Sequence, residues 1–189
     1  MKKKARPAKA RRAEKQPAVI YTVGHSTRSF DELVELLRAH GVERLADVRT
    51  VPRSRTNPQF NRDTFGPGLR NRRIAYRHMQ DLGGLRRARP DSVNTGWRNA
   101  SFRGYADYMQ TDEFRAALDE LVRLAEEKTT AIMCAEAVPW RCHRSMIADA
   151  LIVRGYEVRD IMTTGPAKPR KLNPMARVQG LKITYPPPP

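Results

Sequence analysis

The sequence predicts an α/β domain in which a mainly parallel sheet is flanked by helices in three layers. Three observations carry that expectation. Ala18 to Val23 (AVIYTV) is a β-branched and aromatic run, a capped amphipathic helix follows it, and Arg44 to Val48 (RLADV) reads as a second strand. Thr130 to Cys134 is apolar enough for a buried strand, and the chain turns helical from Pro139 onward. Tyr156 to Met162 alternates as a last strand should. Strand, helix and strand in that order imply parallel βαβ pairing.

The first strand ends at Gly24. Ser29 followed three residues later by Glu32 is a capping box, and it opens a helix whose Leu33, Leu36 and Leu37 share one face until Gly41 closes it. Between Arg49 and Arg89 the composition shifts to eleven arginines against Asp63 and Asp81. Pro52, Pro58 and Pro67 break this segment, with room for a short helix within Phe60 to Leu69 and a strand from Ile74 to His78. Leu85 to Ala100 reads as a long connection, either a lid or binding element or a disordered insertion. Phe102, Tyr105, Tyr108 and Met109 have helical spacing. Thr111 then caps a helix carrying Phe114, Leu118, Leu121, Val122 and Leu124 inward. Pro139 suits a first helical turn, Ile147, Ala150, Leu151 and Arg154 continue a helix face, and Gly155 stops it.

The chain has 189 residues and a formal net charge of +16. The first 16 residues hold +7 and residues 163–189 hold +5, so most of the basicity lies outside the body at 17–162. Residues 1–16 therefore read as a basic disordered arm and 163–189 as a Pro/Lys-rich tail. Such segments attract polyanions or merely solubilise. No apolar run is long enough to cross a bilayer and no secretory signal is visible, so no membrane partner is expected. Two cysteines do not make a disulfide framework, which fits a reducing, cytoplasmic setting. The oligomeric state is open.

In open α/β sheets, ligands gather beyond the carboxyl ends of the strands. His25 and Ser26 follow the first strand, Asp47 and Arg49 the second, and Cys134 and Glu136 the strand before Pro139. Cys142, His143 and Arg144 occupy the expected helix start, where unpaired amides and the helix dipole favour an anion. The catalytic candidates are Cys142, His143, Glu136, His25 and Asp47. A thiol beside cationic groups and helix amides has its pKa lowered, and the carboxylates and imidazoles suit acid–base work. Arg49, Arg53, Arg144, Ser26 and Cys134 are the candidate ligand contacts, because planar guanidinium forks suit phosphate. Each has a structural reading beside it: a packed cysteine, a solvated arginine, or an Asp47 paired with Arg.

The motifs VGHST (Val23 to Thr27), DVRTVPRS (Asp47 to Ser54), LGG at Leu82, FRGYADYM (Phe102 to Met109), and MCAE followed by CHRSMIADAL (Cys142 to Leu151) resemble the family catalogued as domain of unknown function 488. The resemblance covers about residues 18–162 and implies an α/β fold and a bacterial-type soluble protein, with no reaction assigned. The residues themselves favour an enzyme that binds or processes a phosphate-bearing small molecule, nucleotide or nucleic acid. Two alternatives stay open: thiol redox or sulfur transfer through Cys134 and Cys142, and a non-enzymatic nucleic-acid-binding accessory role. No cofactor and no metal are expected, although His25, Cys134, Cys142 and His143 are allowable zinc ligands in no familiar spacing.

Overall fold

The computed structural model describes residues 18–187, so the arm expected over 1–16 lies outside the described residues. Eight strands and five α-helices are present among them: β1 (Val19–Gly24), α1 (Phe30–Ala39), β2 (Arg44–Asp47), α2 (Arg62–Asn71), β3 (Ala75–His78), α3 (Ala100–Tyr108), α4 (Asp112–Glu127), β4 (Thr130–Cys134), α5 (Arg144–Val153), β5 (Glu157–Ile161), β6 (Lys168–Pro169), β7 (Arg177–Gln179) and β8 (Lys182–Thr184). The main sheet runs β3-β2-β4-β1-β5-β6. β1 to β5 pair in parallel, and β6 is added antiparallel to β5 at the edge. No helix among the described residues is long and apolar enough to cross a membrane.

Alternation along the strands divides the core in two, which makes the fold a three-layer α/β domain. Ile20, Ala46, Ile132 and Cys134 face α3, α4 and α5, joining Tyr105, Leu118, Leu121, Ile147 and Leu151. Val23, Leu45, Ala131 and Met133 face α1 and α2, joining Leu33, Leu37, Phe65 and Leu69. The local signals hold. Ser29 and Glu32 form both halves of the capping box, Thr111 caps α4, and Gly41 and Gly155 take positive φ just past their helices. Pro67 sits inside α2 rather than breaking it, and the flanking Gly66 and Gly68 let Tyr76 and Phe30 lie against the helix.

The strand order places the site. β1 and β2 are consecutive in sequence but not neighbours, because β4 is inserted between them. The carboxyl ends of β1 and β2 therefore flank the end of β4, and helices lie on opposite faces to either side of this reversal. That is the position where open α/β sheets form a crevice.

Residues 163–187 correct the expectation of a tail. β6 extends the sheet, β7 and β8 form an antiparallel pair, and Ile183 and Tyr185 are buried in the core beside α3, α4 and α5. Tyr185 donates its hydroxyl to Asp149 Oδ2 at 2.8 Å, and its backbone N–H donates to Asn94 Oδ1 at 2.9 Å. The connection between 85 and 100 is held from below by Asp107 of α3, whose carboxylate accepts from Ser92 Oγ, Asn94 Nδ2 and the Arg89 amide. It is an ordered strap across the helix layer.

Candidate functional site

A cavity of about 560 Å³ opens at the carboxyl ends of β1, β2 and β4. His25, Arg49, Arg53, Cys134, Glu136, Cys142 and His143 line it, so seven of the ten sequence candidates converge from distant parts of the chain. The other three do not line it, and each has a structural task.

Asp47 is fully buried behind Arg49. Arg49 Nε donates to Asp47 Oδ1 at 2.9 Å and Nη2 to Oδ2 at 2.6 Å, while Tyr76 donates its hydroxyl to the same Oδ2 at 2.7 Å. Nη2 also donates to the Phe60 carbonyl, and Nη1 faces His25 Nε2 at 3.3 Å. Four of the five guanidinium hydrogens are thus engaged, and one at Nη1 is left for the cavity. The carboxylate orients the arginine.

Arg144 is only 1 % exposed and turns inward. Its Nη1 donates to Thr22 Oγ1 at 3.0 Å and its Nη2 to the Glu136 carbonyl at 2.6 Å, tying the 134–142 loop to β1. Ser26 takes φ 52° and supplies the carbonyl that accepts from His25 Nδ1 at 2.8 Å. That bond fixes the tautomer: Nδ1 carries the hydrogen and Nε2 accepts from Arg49. Burial pushes the His25 pKa down to about 4, with Arg49 adding to the effect, so the ring is neutral near pH 7.

The helix start differs from the expectation. Pro139 to Arg141 form a single 3₁₀ turn, and α5 begins only at Arg144. The amides of Arg144, Ser145, Met146 and Ile147 are engaged by Cys142 Sγ, the Cys142 carbonyl and the His143 carbonyl. They are not free for an external anion. The Arg144 amide serves the Cys142 sulfur at 3.5 Å instead.

At the cavity floor, Cys134 Sγ, Cys142 Sγ and His143 Nδ1 all lie within 4.8 Å of one another. Among the described residues no other three His, Cys, Asp or Glu donors come so close. His143 Nδ1 is 3.7 Å from Cys142 Sγ and 3.9 Å from Cys134 Sγ, and Nε2 lies 2.9 Å from the Val48 carbonyl. A hydrogen bond from the Cys134 thiol lowers the Cys142 pKa against the opposing effect of burial, helped by His143 and Arg144, and the same bond raises that of Cys134.

Several contributors were not visible in the sequence. Gly24 lets the Glu136 backbone pass so close that any side-chain carbon would strike it, and Gly84 does the same for the His143 ring. Tyr105 lies 5.1 Å from that ring and donates to the Leu82 carbonyl at 2.9 Å, which explains the LGG and FRGY motifs together. Arg141, Val51, Leu85 and Phe102 also line the cavity. A glycine pressed against a histidine is a signal only once the partner is known.

A single α/β domain with a Cys-, His- and Arg-lined cavity at its sheet reversal defines the class of protein. The model of the domain of unknown function DUF488 matches residues 29–151, and the chain belongs to that family. Neither a curated protein nor a solved structure matches it.

Proposed function

We propose that the cavity binds a phosphate-bearing ligand, a nucleotide or a nucleic-acid end, and presents it to the thiol and imidazole groups on its floor. One observation carries the reading: the same cavity joins Arg49, Arg53 and Arg141 to the apolar side chains of Val51, Leu85 and Phe102. Guanidinium groups suit phosphate oxygens, while apolar and aromatic walls suit a base. Val51 and Leu85 are 61 % and 75 % exposed, an apolar rim that free phosphate does not need. Glu136 also lines the cavity, and a carboxylate turned toward an anion there would repel it, so the phosphate belongs nearer Arg49 and Arg53.

Inorganic phosphate, nucleoside mono-, di- and triphosphates and a 5′-phosphorylated oligonucleotide, compared by melting temperature and calorimetry, test this. Nucleotides should stabilise the protein by about 2.7 kcal/mol at a hundredfold excess over Kd. The combined replacement of Arg53 and Arg141 by alanine should weaken that binding. If no phosphate compound binds, or if the double variant binds as the parent does, the reading is wrong.

The proximity of Cys134 and Cys142 favours a second reading, thiol redox chemistry. With a low-molecular-weight disulfide as oxidant, the Cys142 thiolate attacks one sulfur and expels a thiolate. Cys134, losing its proton, then attacks Cys142 Sγ, closing the internal bond and releasing the second thiol. Loss of two hydrogens in the mass of the intact protein after mild oxidation is the expected sign; no such loss removes this reading.

A further inference from the structure

We propose that Cys134, Cys142 and His143 form a zinc site with its fourth position open to the cavity. This goes beyond the phosphate reading and does not depend on what fills the cavity.

Distances come first. In a tetrahedral site with Zn–S of about 2.3 Å and Zn–N of about 2.0–2.1 Å, neighbouring sulfur and nitrogen ligands lie about 3.6 Å apart. His143 Nδ1 stands 3.7 and 3.9 Å from the two sulfurs, so both nitrogen–sulfur spacings need only tenths of an ångström of adjustment, and the sulfurs themselves lie within 4.8 Å of each other. Those separations are long for thiol-to-nitrogen hydrogen bonds and close to right for shared coordination.

The tautomer agrees. The Val48 carbonyl accepts a hydrogen from His143 Nε2 at 2.9 Å, which leaves Nδ1 bare and aimed at two thiols. A zinc-bound histidine almost always gives its other N–H to a carbonyl or carboxylate in this manner. The ring cannot turn away, because Gly84 lies against one side and Tyr105 packs 5.1 Å from it. The Arg144 amide donates to Cys142 Sγ at 3.5 Å, as backbone groups do for thiolate ligands.

Ligand chemistry selects the ion. Two thiolates and an imidazole suit a borderline-soft divalent cation, and three protein ligands with an open fourth position match catalytic rather than structural zinc. All three residues line the cavity, so that position faces any ligand held there. His25 is outside the set, its Nε2 being committed to Arg49.

The full chain, expressed without a histidine tag and purified reduced and without chelators, should carry about one zinc per molecule by elemental analysis. Cobalt(II) added to the chelator-stripped protein should give visible bands of a tetrahedral ion and a sulfur-to-cobalt charge-transfer band. Cys134→Ser and Cys142→Ser should each weaken the charge-transfer band and lower zinc content. Gly84→Ala, which presses on the His143 ring, should weaken metal binding by about 10-fold or more. Arg53→Ala and Arg141→Ala should leave zinc content unchanged while weakening nucleotide binding, which separates this site from the phosphate reading. The zinc site is overturned if the wild-type chain neither carries zinc nor takes up cobalt, or if the Cys134→Ser/Cys142→Ser protein binds metal as well as the parent.

Discussion

Arg49 holds Asp47, two residues before it, through two parallel bonds of 2.9 and 2.6 Å, with both side chains buried. A buried pair of this kind contributes little net stability, but removing one partner leaves an uncompensated charge. Asp47→Ala should therefore cost about 3–5 kcal/mol in urea unfolding, whereas replacing a surface pair such as Arg89–Asp91 should cost at most about 1 kcal/mol. Equal losses at the two positions would show that the Asp47 carboxylate is not the counter-ion of Arg49.

His25 makes stability depend on pH. Its folded pKa of about 4 lies below the ordinary value of 6.5, so the unfolded chain binds the proton more readily and folding is favoured above that range. This contribution is complete above pH 6.5 and is lost as the pH falls toward and through 4. It amounts to at most roughly 3.5 kcal/mol. His25→Gln should flatten the unfolding free energy between those pH values relative to the parent; a parallel pair of curves would place the ring in contact with water.

What was legible in the sequence was local. Ser29 with Glu32, Thr111, Gly41 and Gly155 act on backbone groups within one turn of themselves, so the sequence suffices to place them. His25, Arg49 and Cys134 were found because each follows a strand, but their meeting depends on β4 entering between β1 and β2, a long-range choice. Arg144 misled because its position at a helix start says nothing about where a long side chain turns; it goes inward to Thr22 and the Glu136 carbonyl. The apolar neighbours of Tyr185 in the sequence are sparse enough to suggest a tail, and only the groove beside α3, α4 and α5 gives it something to bury against.

Residues 163–187 should be integral to the fold. Tyr185 gives its hydroxyl to Asp149 Oδ2, while Oδ1 accepts the Asn173 amide at 3.0 Å, so both oxygens of a buried carboxylate depend on residues after 162. Tyr185→Phe leaves one of them unpaired and should cost about 1.5–3 kcal/mol. Denaturant unfolding measures the loss, and limited proteolysis should cut residues 163–187 faster in the variant. Unchanged stability and cleavage would mean that the carboxyl-terminal segment is not held through this bond.

Gly24 and Gly41 offer a paired test of what shapes the site. A methyl group at Gly24 would run into the Glu136 carbonyl, which is backbone and has no flexible side-chain end that could yield. The 134–142 loop must then retreat, breaking the bonds from the His25 and Ser26 amides to the Cys134 and Ala135 carbonyls. Gly24→Ala should cost about 1–3 kcal/mol. A methyl group at Gly41 meets nothing within 4 Å, but its φ of +64° is unfavourable for alanine and should cost about 1–2 kcal/mol. The stability losses overlap and the binding consequences do not. Gly24→Ala should lose nucleotide binding because the loop wall of the cavity moves away from Arg49, and metal uptake because the shifted 134–142 loop carries Cys134 and Cys142 out of register with His143, while Gly41→Ala should keep both. Calorimetry on the two folded variants decides the matter, and equal binding by both would mean that the close passage at Gly24 does not set the geometry of the cavity.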